Sequence, residues 1–352
     1  MWMWLVRFYK FVLYFSLLAV SLVFWWNLKE VWKSPEIPQY TPTTPDIAVP
    51  YIALNDLQDA ENLEKFIEKR TTMKSLKVSF NELNSTYVNE HSNSITTDKM
   101  IIVVTPTYKR LTRIADFTRM ANTLSHISNL HWIVIEDSSS TVPAIQNILT
   151  RTKLPFTYLA CPSPPNFPNR GWYQRTIALN YIRENHTELL HGSEKGVVYF
   201  GDDDNSYDLR LFTDYIRNVK RIGMWGVGLV AGSLVESPNV SNSSVIGFNV
   251  QWSPDRYFAI DMAGFALDLQ LILDSDVVFR SSCPSGTGAL ESCLLEDLGL
   301  KREDIEPFGF DREEKEVLVW HTKTAIPDIW DLRRSFWRVA SPPRTNGYFV
   351  EY

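Results

Sequence analysis

The uncharged, β-prone run Val197-Val198-Tyr199-Phe200 ends in Gly201 and delivers three consecutive carboxylates, Asp202, Asp203 and Asp204, followed by Asn205. Three adjacent anions repel one another and favour neither helix nor strand, so the run must stop in a turn that is solvated or holds a cation. In an extended chain, side chains at i and i+2 share a side, which sets Asp202 and Asp204 toward one ligand and Asp203 toward another. That arrangement suits a divalent metal beside a sugar hydroxyl. A solvated acidic turn is the competing reading, and the rest of the chain decides between them.

The same strand-then-turn pattern recurs through the chain from Met100 onward. Apolar runs at 100–104 (MIIVV), 132–136 (WIVIE), 156–160 (FTYLA) and 197–200 alternate with helical spacing: Leu111, Ile114, Phe117, Ala121 and Leu124, then 144–151, then 173–185. Residues 209–221 read as a further helix and 225–232 (WGVGLVAG) as a strand. This is the rhythm of an α/β fold with a mostly parallel sheet covered on both faces. Open sheets of that kind bind ligands beyond the carboxyl ends of their strands. The strand-following loops at 105–108, 137–140 and 202–205 are therefore expected to converge, and a fourth follows Trp320. No glycine-rich phosphate loop accompanies them, so a bound diphosphate would need a metal and basic side chains, for which Arg170, Arg175 and His321 are candidates.

Beyond residue 231, Glu236, the 251–257 run (QWSPDRY) with Arg256, and the 259–265 run with Asp261 set polar groups among large aromatics. Sugars are held in this way, with rings stacked on aromatic faces and hydroxyls bonded to carboxylates and Arg, although each aromatic alone also fits a partly buried core. A flexible Ser285-Gly286-Thr287-Gly288 stretch leads into a helix whose first turn carries Glu291. It is placed to act as a general base; acids also collect at helix starts through the macrodipole alone.

The chain has 352 residues and a net charge of −6, with no basic stripe to neutralise phosphates, which excludes a nucleic-acid partner. Residues 11–28 form an apolar segment flanked by Trp2, Trp4, Trp25 and Trp26, with Arg7 and Lys10 before it. The positive-inside rule then makes 1–10 a cytosolic tail and 11–28 an uncleaved signal anchor. Residues 29–98 form a Pro-rich stem, with a short amphipathic pattern at 56–70. Sequons at Asn84, Asn185, Asn239 and Asn242 all fall on the side this anchor places in the lumen. Cys161, Cys283 and Cys293 lack metal-ligand spacing; Cys283 with Cys293 either closes a small loop or remains a pair of thiols.

Several stretches together resemble a known family. They are Pro106-Thr107-Tyr108 with a following Arg, Ala121 to Leu124, Asn129 to Trp132, Glu136-Asp137, the run ending in Asn205, Phe258 to Ala266, and Val319 to Thr322. In one order over about residues 99–325 they resemble the β-1,3-glucuronosyltransferases of glycosyltransferase family 43. The resemblance implies a GT-A fold with a UDP-sugar-binding half (99–230) and an acceptor-binding half (231–352). It also implies a Golgi type II membrane protein, a homodimer and Mn²⁺ as cofactor. On it, Tyr108 stacks on uracil, Asp137 bonds the ring nitrogen, Asp203 holds the ribose and Asp204 ligates the metal. Asp202 with Arg170 contacts the donor sugar and His321 faces the diphosphate; a glucuronate donor's own carboxylate calls for a cation nearby, for which Arg170 and Arg175 are the candidates. Glu236, Arg256 and Asp261 bind a terminal galactose, whose 3-hydroxyl Glu291 deprotonates. The implied reaction moves glucuronate from UDP-glucuronate to the Gal-Gal-Xyl linkage of proteoglycans. N-acetyllactosamine as acceptor, UDP-xylose as donor, an inactive lectin-like membrane protein and a metal-dependent phosphohydrolase are the alternatives. The loop at 161–169 looks shorter than the family's and carries no Arg before Arg170.

Overall fold

The computed structural model describes residues 99–168, 171–286, 288–311, 313–326 and 345–351. The expected cytosolic tail, anchor and stem, with Asn84, lie outside these residues, as does Arg170.

Strand β1 (Met100–Thr107) is buried almost throughout, the condition of a central strand with helices on both faces. Its alternation sends Ile101 and Val103 into one core layer and Ile102 and Val104 into the other. Helix α1 (Arg113–Leu124) covers the first layer through Phe117, Met120, Ala121 and Leu124, and Phe117 stacks at 4.9 Å on Trp132 of β2 (Leu130–Glu136). Leu111 falls in the turn before α1 rather than on it. Helix α2 (Pro143–Thr152) begins on a proline and ends at Lys153 in the left-handed region, then hands over to β3 (Phe156–Ala160). Helix α3 (Trp172–Leu189) covers the second layer through Trp172, Ala178, Leu179 and Ile182.

Strand β4 (Gly196–Phe200) then returns to the free side of β1 and pairs with it in parallel, giving the order β4-β1-β2-β3. The chain's reversal of direction at β1 opens a crevice beyond the carboxyl ends of β1 and β4, because the loops there diverge to opposite sides. The acidic turn begins at that point.

The sheet does not stop at β4. Strand β10 (Phe265–Asp268) lies antiparallel between β4 and β6 (Ile222–Met224), and β11 (Ile305–Pro307) closes the edge, making seven strands of mixed direction. Two strands from beyond residue 231 are thus built into the sheet of the first half. A second, five-stranded sheet has the order β5-β12-β7-β8-β9, from β5 (Ser206–Tyr207), β12 (Val319–Trp320), β7 (Val227–Gly228) and the hairpin of β8 (Val235–Ser241) and β9 (Ser244–Asn249). A Cβ on Gly228 would meet Trp320 Cδ1 at 2.5 Å, so glycine lets β12 lie against β7 and brings His321 to the crevice.

Two expectations need correction. Residues 209–221 form a wide helical turn at Leu211–Tyr215 and a tight one at Ile216–Asn218 rather than one α-helix. The expected strand at 225–232 divides: only Val227–Gly228 is extended and paired, while Leu229 and Ala231 take positive φ. Helices α4 (Leu269–Leu273) and α5 (Leu290–Asp297) complete the fold. Cys283 and Cys293 form a disulfide just before and within α5, and Cys161 remains a thiol. Asn239 lies exposed on β8 and Asn242 in the hairpin turn, while the Asn185 amide bonds the Tyr181 carbonyl on α3.

Candidate active site

The four strand-following loops meet in one cleft of about 680 Å³, lined by Tyr108, Asp137, Arg175, Asp202, Asp203, Asp204 and His321 among others. At one end Tyr108, which follows β1, is 57% exposed and presents a free ring face. Asp137, which follows β2, is fixed by its N–H bond to the Thr107 carbonyl at 2.8 Å. Its carboxylate accepts from the Ser163 N–H at 2.7 Å and hydroxyl at 2.8 Å. Gly171 closes the cleft's back wall at φ +71°, where a Cβ would come within 2.7 Å of Pro106; the backbone approaches so closely that only glycine fits.

The acidic turn divides its three carboxylates. Asp203 is buried and points inward, accepting from Thr107 at 2.7 Å and from both ends of the Arg110 guanidinium at 2.9 and 2.8 Å. Asp202 is bonded by Arg175. Asp204 accepts no side-chain hydrogen bond from the described residues, and burial with repulsion from Asp202 and Asp203 pushes its carboxyl up to about 6. A lone carboxylate held short of full ionisation by its neighbours favours a cation beside it, and one carboxylate with phosphate oxygens and water is a donor set that suits Mg²⁺ or Mn²⁺. Among the described residues no cluster of three or more His, Cys, Asp or Glu side chains forms a metal cage, so such an ion would depend on its ligand for most of its shell.

Across the cleft, Asp261 accepts from the Ala263 N–H at 2.9 Å and pairs with His321 at 3.3 Å. That bond is the main cause raising the His321 imidazole to about 9, so the ring is cationic at neutral pH. Beyond it Glu291, in the first turn of α5, is buried and bonded by Arg256 at 2.8 Å. Burial above all, with repulsion from Asp261, pushes its carboxyl up to about 8 against the pull of Arg256. Arg256 lies 4.6 Å over the Trp252 ring and also donates to Ser292 at 3.3 Å, which ties α5 to the 252–258 loop. Glu236, on β8, is buried with Oε1 lacking any hydrogen-bond partner, and burial with the Asp261 charge raises it to about 6.

Of the predicted set, Tyr108, Asp137, Arg175, Asp202, Asp203, Asp204 and His321 line the cleft, while Asp261 meets it through His321 and Glu291 is bonded to Arg256 behind it. Arg110 was missed as a site residue, although an Arg two positions after a strand-terminal Tyr was visible. Its partner Asp203 stands 93 residues away, and no local spacing announces that pair.

A mixed α/β sheet with a reversal of strand order, and with acids and cations gathered beyond its strand ends, defines a class of ligand-binding fold with one built cleft. Residues 120–325 match the family model described as glycosyltransferase family 43, and the chain belongs to that family. It is 43% identical over 241 residues to the galactosylgalactosylxylosylprotein 3-beta-glucuronosyltransferase sqv-8 of Caenorhabditis elegans, covering 65% of each protein. To the human galactosylgalactosylxylosylprotein 3-beta-glucuronosyltransferase 1 it is 42% identical over 239 residues, 64% of this chain and 70% of the relative. The match therefore spans slightly under two-thirds of the nematode relative's length. Among solved structures, S. aureus TarS 1-349 in complex with UDP aligns at a TM-score of 0.43 and 16% identity, over 64% of this chain and 61% of that one.

Proposed function

We propose that the chain is an inverting glucuronosyltransferase of GT-A architecture that moves glucuronate from UDP-glucuronate to the 3-hydroxyl of a terminal galactose, with the Gal-Gal-Xyl linkage as acceptor. The observation that carries this reading is the pairing of the two cleft walls. A turn of acids with one uncompensated carboxylate, Asp204, is linked through His321 and its partner Asp261 to a buried carboxylate, Glu291, whose proton affinity is raised to about 8. Transfer with inversion needs one base on the acceptor side and charge stabilisation on the leaving diphosphate.

In this assignment Tyr108 stacks on uracil and Asp137 bonds its ring nitrogen. Asp203, braced by Arg110, faces the ribose, while Asp202 with Arg175 faces the donor sugar. Cationic His321 meets the diphosphate. Asp204 would hold Mn²⁺, which when bound would supply Lewis-acid neutralisation of the departing UDP. The orphaned Oε1 of Glu236 accepts a galactose hydroxyl, which removes the cost of leaving it buried and unpaired. Arg256 and Asp261 bond neighbouring hydroxyls. Glu291 takes the proton of the 3-hydroxyl as that oxygen bonds to the donor's anomeric carbon, and the bond from that carbon to the diphosphate breaks on the opposite face. Residues 99–230 then form the donor half and 231–352 the acceptor half. Family membership and the sequence of residues 1–98 support a Golgi type II membrane protein with this domain in the lumen, and we propose a homodimer.

The test is a transfer assay on the full chain with a panel of UDP-sugars and with Gal-Gal-Xyl against N-acetyllactosamine acceptors, with and without chelator. Transfer is expected from UDP-glucuronate, to be lost on chelation and restored by Mn²⁺. Glu291→Gln should abolish transfer while leaving UDP binding intact; loss of UDP binding in that variant would overturn the assignment of the base.

A further inference from the structure

A buried charge cluster that this reaction does not use lies behind the uracil end of the cleft. Arg113, fully buried at the start of α1, donates from Nε to Glu351 Oε2 at 2.7 Å, from Nη2 to Glu351 Oε1, and from Nη1 to Glu136. Tyr158 of β3 donates to the other oxygen of Glu136 at 2.6 Å. Glu351 belongs to the segment 345–351, which turns at Asn346 and Gly347, both at positive φ. Tyr348, Phe349 and Val350 just before it are 78%, 61% and 43% exposed, yet Glu351 itself is only 6% exposed. Apolar packing therefore does little to hold the segment. Among the described residues, what holds it is one carboxylate in a two-pronged bond to a buried guanidinium, an interaction with strict geometry.

Two contacts of Arg113, one from its side chain and one from its main chain, lead to the nucleotide end. Glu136 is the last residue of β2 and the neighbour of Asp137. The Arg113 N–H bonds the Arg110 carbonyl at 3.1 Å. Arg110 in turn grips Asp203 and lies 5.2 Å over the Tyr108 ring. Arg113 thus joins the turn carrying Tyr108 and Arg110, through its main-chain N–H, to the strand end carrying Asp137, through its side chain, and Glu351 supplies two of the three side-chain bonds that hold it.

We propose that Glu351 is a positioning residue for the nucleotide end of the donor site, acting through Arg113 on the Tyr108–Arg110 turn and on Asp137. This rests on the reading of the cleft as a uridine-nucleotide site. Removal of the carboxylate leaves the Arg113 guanidinium with Glu136 alone and loosens its hold on both loops, which stay joined at their bases by the Asp137 N–H bond to the Thr107 carbonyl, without touching the acceptor wall.

The test uses the full chain and its Glu351→Ala, Glu351→Gln and Glu351→Asp variants, with Ile148→Ala as a control that loosens α2 away from the cluster. Amide exchange at Asp137 and Ser163 is measured without ligand, then UDP affinity, then KM and kcat for each substrate. Glu351→Ala is expected to speed exchange at both amides and to weaken UDP binding and raise donor KM about tenfold, the effect of one lost charged hydrogen bond. Acceptor KM should not move. Glu351→Asp should recover part of the loss, and Ile148→Ala should lower Tm with UDP affinity unchanged. If Glu351→Ala unfolds the chain, Glu351→Gln carries the same comparison. Parental exchange and UDP affinity in the Ala and Gln variants would overturn the proposal whatever happens to Tm. Should the parent chain bind no UDP, the donor assignment fails, while faster exchange in Glu351→Ala would still support the positioning role and unchanged exchange would refute it.

Discussion

If Glu291 is the base, the pH dependence of transfer is set by its environment, and Arg256 is the lever. In the free protein burial holds the Glu291 carboxyl near 8, with Arg256 pulling it down and Asp261 pushing it up. The base acts only when ionised, so kcat/KM for the acceptor should rise with pH along a limb whose midpoint lies near 8. The guanidinium and carboxylate touch at 2.8 Å in a buried setting. With charge centres about 4 Å apart and an effective dielectric of about 20, Arg256 stabilises the ionised form by about 4 kcal/mol. At about 1.4 kcal/mol per unit that corresponds to roughly three pH units. Water admitted to the vacated space offsets part of this, so Arg256→Met should move the limb upward by about one to two units, and Arg256→Lys by less. Arg256 also faces the acceptor, so the height of the profile will fall as well; the midpoint is the readout because it does not depend on height. An initial-rate series at subsaturating acceptor from pH 6 to 10 measures it. A midpoint that stays put or moves down in Arg256→Met would refute the pairing as the control of the base.

Two further outcomes follow from groups outside the reaction. His131 of β2 is buried, with Nδ1 at 2.8 Å from His191 Nε2, and burial with the His191 charge lowers it to about 3. Its folded value lies below the unfolded one, so the unfolded chain binds the extra proton and stability falls as pH drops below about 6.5. Urea unfolding should therefore show a loss of about 2 kcal/mol between pH 7 and 5 that His131→Gln lacks; an equal pH slope in the two proteins would refute it. The Cys283–Cys293 bridge closes a loop with a sequence separation of 10 that contains Glu291. Replacing both cysteines with Ser should cost about 3 kcal/mol of stability, measured by thermal unfolding, and should lower transfer more than UDP binding, since the loop belongs to the acceptor wall.

How far the sequence revealed this molecule depended on how local each constraint is. Strands β1 to β4 and their helices were legible because a period of two or 3.6 is written within ten residues, and a parallel core strand needs little more than apolarity. Strand β10 was not, because Phe265-Ala266-Leu267 becomes a strand only by lying between β4 and β6, and the same residues read equally well as part of an aromatic sugar-binding run. The 225–232 run misled because its apolarity serves both sheets, with the chain turning between them. At the site, alternation predicted a split of Asp203 from Asp202 and Asp204, but the chain turns there and all three line the cleft; Asp203 differs in being held by Thr107 and Arg110. That Arg110 and Thr107 would receive it, or that Glu351 would travel 238 residues to reach Arg113, has no local signature.

The cleft's charge pattern distinguishes binding groups from structural ones. Four of its acids already have a cation of the same chain: Asp203 has Arg110, Asp202 has Arg175, Asp261 has His321 and Glu291 has Arg256. A paired buried acid is stable as it stands, and breaking the pair is costly. Of the three left over, Asp137 is satisfied by the Ser163 N–H and hydroxyl, which leaves Asp204, with no side-chain bond from the described residues, and Glu236, with one buried oxygen unpartnered among them. Both are raised to about 6 by burial and neighbouring charge, so each carries an unfavourable term that the polypeptide does not relieve. A cation relieves the first and a hydroxyl donor the second. His321 lies within electrostatic reach of both orphans, and its partner Asp261 within reach of Glu236. Ligands of opposite kinds, a metal-bound anion and a neutral polyhydroxyl chain, are therefore what this arrangement of charges favours, and a phosphohydrolase, whose second substrate is water, would need only the first.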